Sequence, residues 1–239
     1  MDTVQKNNIL KNCYINLGID MLEFLYLPKF SKKTLSSLVK FENPEIVENC
    51  IKEGKGVFFL SGHFANWELS AFAYSVIFNK SLKIIAKQQA SKKLNQKINS
   101  YRELSGNKII QTGFSLRSVY EMINLKETIC FLIDQSANPD HSVYVKFFNH
   151  KTATFSGPSK IALKKRPSLV MGTMVRQPDY SYAVSFSKID YDDLTEYSLK
   201  NITELTHRIQ FRFEEAVRNN PGQWLWLHKR FKHIQKNES

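Results

Sequence analysis

Apolar residues along the chain come in short continuous runs, separated by longer segments in which they recur every three or four positions. Val57-Phe-Phe-Leu60 and Ile129-Cys-Phe-Leu-Ile133 are continuous runs of the kind expected for buried strands. Ser61-Gly62 breaks the first run, and Leu69, Phe72, Ala73, Val76 and Ile77 then repeat with helical spacing. Read this way, the pattern predicts helices over about 5–26, 44–53, 67–78, 91–105, 115–125, 157–165 and 201–219. Strands are predicted over about 56–61, 82–87, 108–111, 128–133, 168–175 and 181–189. Residues 134–156 read as a loop, long enough to be expected to shape a pocket. Alternating strands and helices predict an α/β fold with helices on both faces of one sheet.

With 239 residues and no repeat, low-complexity tract or linker, the chain reads as one domain over residues 1–239 with ample length for a core. Cys13, Cys50 and Cys130 are an odd number at wide spacing, giving neither a disulfide framework nor a zinc pattern, which is consistent with a reducing cytosolic setting. No secretory signal and no run of eighteen apolar residues is visible. Residues 1–30 form an N-terminal helical segment of moderate apolarity. It either packs on the core or lies in a membrane interface, and core packing is the expectation for a helix of this length. The formal net charge of +12 admits an anionic membrane surface, an acidic protein or nucleic acid as partner. Nucleic acid is disfavoured because the basic residues are spread along the chain and no binding module appears.

Candidate chemistry lies at the end of the first apolar run. A histidine oriented by a carboxylate is a general base for a hydroxyl, which suggests acyl transfer without a protein nucleophile. Residues five apart on a helix are separated by roughly 140°, so His63 and Glu68 converge most easily if His63 stays in the turn and the helix begins near Asn66, a favourable cap. Glu68 then lies in the first turn, where the helix dipole favours a carboxylate, and can fix the tautomer of the ring. Spacing alone favours an ordinary strand-end histidine beside a first-turn acid. Rival chemistries lack their motifs: no Gly-x-Ser-x-Gly elbow, no His-Glu-x-x-His pair, no phosphate-binding loop and no dinucleotide fingerprint. No metal site is expected, and no cofactor beyond an acyl donor.

The string Gly62-His63-Phe64-Ala65-Asn66-Trp67-Glu68 resembles the active-site motif of the bacterial lipid A secondary acyltransferases, within the lysophospholipid acyltransferase-like superfamily. In that family a His, four residues and an Asp or Glu form the catalytic pair, and Asn-Trp-Glu is typical of the lipid A branch. Ala65 stands where that branch more often has Gly. Further likenesses follow in order: Tyr101-Arg102 before Gly106-Asn107, Phe131-Leu-Ile-Asp134-Gln135, Lys146-Phe147-Phe148, Gly157-Pro158, Arg176 at a strand end, and Pro221 to Lys232 as a Pro-x-x-Trp-x-Trp-x-His-x-Arg box. The likeness covers roughly residues 45–232, and as an ordered set it is specific.

The resemblance implies a single-domain mixed sheet flanked by helices, the glycerolipid acyltransferase-like fold. It also implies an O-acyltransferase that moves a fatty acyl chain from an acyl carrier protein (or coenzyme A) thioester to a hydroxyl of a lipid A-like glycolipid. Such an enzyme works peripherally at the cytoplasmic face of the inner membrane, against an anionic surface. Catalysis would rest on His63 and Glu68; Asn66, Arg102, Asp134, Gln135 and Arg176 would bind substrate, the arginines through phosphate. Asp134 pairs with an arginine, helps bind the acceptor or caps a turn. Thr154 and Ser156 are expected to cap the helix after Gly157-Pro158. Trp224, Trp226, His228 and Arg230 alternate like a strand, as a membrane belt or as core paired with acids. A lysophospholipid, aminolipid or pigment acceptor, or a non-catalytic lipid-binding homologue, fits the same motifs. Family members usually carry an N-terminal transmembrane helix, from which this chain departs.

Overall fold

The computed structural model describes residues 1–113 and 116–235. In chain order the elements are α1 (Thr3–Tyr26), α2 (Lys32–Leu38), β1 (Val39–Phe41), α3 (Glu45–Lys52), β2 (Val57–Ser61), α4 (Trp67–Phe78), β3 (Leu82–Ala86), α5 (Lys92–Glu103), β4 (Lys108–Gln111), α6 (Leu116–Asn124), β5 (Thr128–Leu132), β6 (Ser142–Phe147), β7 (His150–Phe155), α7 (Gly157–Lys165), β8 (Ser168–Arg176), β9 (Tyr182–Ile189) and α8 (Leu199–Asn219). The main sheet runs β1-β9-β8-β2-β5-β3-β4, parallel except for the antiparallel β8–β9 pair. It is therefore the mixed sheet expected. Residue 115, the expected first residue of α6, lies outside the described residues.

β2 is central because its apolar run suits burial on both faces: Val57, Phe58, Phe59 and Leu60 are all buried. The pleat sends Phe59 toward α4, where it meets Tyr74 edge-on at 5.1 Å. The other face is covered by α8, whose Phe213 ring fills the space a Cβ on Gly62 would need, 2.2 Å from its nearest atom. Any side chain at Gly62 would force the Phe213 ring to shift just where the chain leaves β2. Successive crossovers leave β2 and β5 toward opposite edges of the sheet, so their carboxyl ends flank a switch point, the usual ligand crevice of open α/β sheets.

Two expectations are corrected. Residues 134–156 are not a plain loop: β6 and β7 form an antiparallel hairpin, joined at Phe148 (φ 48) and Asn149 (φ 63). Those paired positive φ values match the primed turns whose twist suits a hairpin. The hairpin packs on α8, with Phe147 stacked on Phe213 at 6.4 Å. α1 is not a core helix. Among its residues Cys13 and Asp20 are buried, whereas Tyr14, Met21, Leu22 and Leu25 face outward, Leu22 being 69% exposed. Its inner side combines partly buried apolar residues, Leu17 and Phe24 among them, with polar contacts. Asn16 donates to the Gly222 carbonyl at 3.1 Å, the Cys13 thiol donates to the Trp224 carbonyl at 3.1 Å, and Asp20 pairs with Arg176 at 2.5 Å.

Candidate active site

The register of the sheet assembles the site. β2 and β5 pair with Ser61 opposite Leu132, and the Ile133 amide extends the ladder to the Ser61 carbonyl at 2.8 Å. Two residues further on, His63 and Asp134 therefore face each other. Nδ1 of His63 lies 2.8 Å from Oδ1 of Asp134, and the His63 amide donates to Oδ2 at 3.0 Å. Trp224 donates its indole N–H to Oδ2 at 2.9 Å. Burial opposes a charge on Asp134, but the hydrogen bonds from His63 and Trp224 and the attraction of the imidazolium outweigh it, leaving the carboxyl below its ordinary pKa. An ionised carboxylate only accepts, so Nδ1 carries the ring proton and Nε2 is left as acceptor.

The expected His63–Glu68 pairing is thus replaced by His63–Asp134. α4 does begin where expected, with Asn66 as N-cap accepting from the Leu69 amide at 2.9 Å. Glu68 instead turns to Arg102 in the last turn of α5, whose Nε donates at 2.9 Å and Nη2 at 2.5 Å to its two oxygens. Each group sits at the helix end its charge favours. Trp67 stands edge-on to the imidazole at 5.0 Å and donates to Glu68 at 3.3 Å.

A cavity of about 520 Å³ opens beside these groups, lined on its polar side by His63, Glu68, Arg102 and Gln135 and on its apolar side by Ile84, Ile85 and Phe155. The His63 side chain is 16% exposed and that of Asp134 1%, so the ring is presented to the cavity while its partner is sealed behind it. The Gln135 amide nitrogen lies 3.4 Å from Nε2, a long contact that a substrate hydroxyl would displace.

The other expected site residues lie elsewhere. Arg176 is buried behind the sheet end, where its guanidinium bonds Asn16, Asp20 and the Tyr182 hydroxyl, and it does not line the cavity. Asn66 is buried as the cap and gives its amide N–H to Glu23 of α1 at 2.7 Å. The final box is not a strand. Trp224 and Arg230 are both buried. Arg230 binds the Ala153 carbonyl and the Thr154 hydroxyl rather than an acid, and His228 accepts the Ser136 amide at 3.0 Å. Neither expected cap forms on α7: the Ser156 hydroxyl has no partner among the described residues, and Thr154 donates to the Thr152 carbonyl. Spacing missed Trp224 as a member of the site. Its motif was visible, but not the fold that lays it over Asp134.

A profile of the family described as bacterial lipid A biosynthesis acyltransferase matches residues 1–233. The chain belongs to that family. Acyltransferase activity of the lipid A type follows from this membership. No curated protein matches the chain. The family match includes α1, which the motif likeness left out. Among the described residues no helix is long and apolar enough to cross a membrane. Ala65, where the lipid A branch more often has Gly, sits at φ 43, a left-handed conformation natural to glycine that costs alanine about 1 kcal/mol. Its amide is held by the Gln223 carbonyl at 2.7 Å.

Proposed function

We propose that the protein transfers a fatty acyl chain from a carrier thioester to a hydroxyl of a lipid A-like glycolipid, with His63 as general base. The observation carrying this reading is the imidazole whose Nδ1 is bound to buried Asp134 while its ring lines the cavity. Nε2 takes the proton of the acceptor hydroxyl as its oxygen attacks the thioester carbonyl. Asp134 stabilises the imidazolium that forms, and that proton then passes to the departing thiolate, so no protein acyl intermediate is needed. Mixing the purified protein with acyl carrier protein or coenzyme A thioesters and a panel of acceptors tests this. One added acyl chain on the glycolipid, seen by mass spectrometry, is the expected product. Transfer to a lysophospholipid alone would reassign the acceptor, and no transfer from either donor to any acceptor would end the proposal.

Arg102 is the group proposed to bind the acceptor's phosphate, with Glu68 holding its guanidinium in place. Nε and Nη2 are engaged by Glu68, and Nη1 makes no hydrogen bond among the described residues. Arg102→Lys keeps the charge but loses the fork. It is expected to raise the acceptor KM about tenfold with a smaller change in kcat. An unaltered acceptor KM would remove Arg102 from substrate binding.

The outward apolar stripe of α1 is proposed to lie on the cytoplasmic face of the inner membrane, with the net charge of +12 drawn to anionic lipid. Leu22→Asp is expected to weaken binding to vesicles containing anionic phospholipid by about tenfold or more, with little change in thermal stability. Equal vesicle binding by variant and wild type would dismiss this contact.

A further inference from the structure

We propose that Glu23, on α1 and outside the cavity, is a positioning residue for acyl transfer: it orients the Asn66 amide and thereby fixes the turn that carries His63. The proposal rests on the reading of His63 as general base. An asparagine amide has a donor end and an acceptor end, and only one orientation caps α4. Glu23 Oε2 accepts from Asn66 Nδ2 at 2.7 Å, which leaves Oδ1 facing the Leu69 amide at 2.9 Å. Asn66 is 1% exposed, so a flipped amide would find no solvent in place of these partners. Glu23 is itself fixed by the Tyr182 hydroxyl, which donates to Oε2 at 2.5 Å.

The turn needs this support. Between β2 and α4 the chain passes through Ala65 at φ 43, and the turn is pinned on its other side by the Leu225 amide on the His63 carbonyl at 2.9 Å and the Gln223 carbonyl on the Ala65 amide at 2.7 Å. A loosened cap would let the first turn of α4 shift. Trp67, against the imidazole, and Glu68, against Arg102, both ride on that turn. Small displacements of a general base are felt in kcat rather than in binding.

The test is a double-mutant cycle between Glu23 and Asn66. Serine caps a helix through a freely rotating hydroxyl and has no amide to orient. Glu23→Ala is expected to lower kcat about ten- to hundredfold with the donor KM within about twofold, whereas Glu23→Gln, whose amide oxygen still accepts, stays within about threefold of wild type. In an Asn66→Ser background, Glu23→Ala should cost less than about twofold further. A reversed pair covers the case in which Glu23→Ala does not fold. Asn66→Asp sets two carboxylates together and should lower kcat, and adding Glu23→Gln, which can donate, should restore it about tenfold. Glu23→Ala at wild-type kcat, equal costs in the two backgrounds, or no recovery in the reversed pair overturns the proposal. Full turnover by His63→Ala would instead overturn the general-base reading and is seen independently of the cycle.

Discussion

His63→Ala is expected to lower acyl transfer by about 10³-fold or more while leaving the protein folded. The ring lies on a cavity wall beside Trp67 and is not part of the hydrophobic core. Removing it strands the Asp134 carboxylate only in part, since the backbone amide of residue 63 and the Trp224 indole continue to donate to Oδ2. The measurement is initial rate against acyl thioester with the best acceptor, beside a thermal melt. A folded variant retaining more than about a tenth of wild-type kcat would show that the hydroxyl is deprotonated by another group.

Asp134→Asn carries the second large effect, and here shape is nearly unchanged. Oδ2 receives two N–H donors, so the asparagine oxygen is expected to take that place and turn its NH₂ toward Nδ1. Nδ1 must then accept, and the ring proton moves to Nε2, the nitrogen that has to receive the substrate's proton. A loss of about 10³- to 10⁴-fold in kcat is expected, with KM values little altered. Stability supplies an independent readout. The carboxyl titrates below its ordinary value, so its contribution is complete above the unfolded-state pKa and disappears as pH falls toward the lowered native one. The wild type should lose stability across that acid window, and the asparagine variant should lack this component. A variant with wild-type kcat would reduce Asp134 to a structural strand-end acid, and identical acid profiles would mean that its pairing with His63 does not persist in solution.

The fold was legible to the extent that its elements are periodic. α4 and α7 begin and end as predicted, and the apolar runs of β2 and β5 announced the sheet centre. The hairpin was hidden differently. Ser142 to Phe147 alternates apolar residues inward, at Val143, Val145 and Phe147, but its turn uses Phe148-Asn149 instead of a glycine pair, so no turn signal marked it. α1 misled because apolar content says nothing about direction: its outward stripe is apolar, and its seat adds the polar contacts of Cys13, Asn16, Asp20 and Glu23 to the packing of Phe24.

In the site, His63, Glu68, Arg102 and Gln135 were all recognisable and all reach one cavity. Their pairing was not, because it depends on strand order. Local spacing offers only Glu68 to the histidine, whereas the adjacency of β2 and β5, far apart in sequence, supplies Asp134. Arg176 shows the converse. A guanidinium at a strand end suits phosphate, but here α1 brings Asp20 and Glu23 to it first.

That arrangement bears on how the protein can be handled. Excising residues 1–26, the usual way to make a lipid-seeking enzyme easier to purify, would take away both carboxylates facing Arg176 and the Glu23 partner of the Asn66 cap, and would uncover the end of β8. Hydrogen bonds to charged groups contribute about 1.5–3 kcal/mol each, so losing those that α1 makes to Arg176 and Asn66 takes much of a domain's margin. The leading helix is therefore part of the folding unit, and a shortened version should fail by precipitation rather than yield a soluble catalyst.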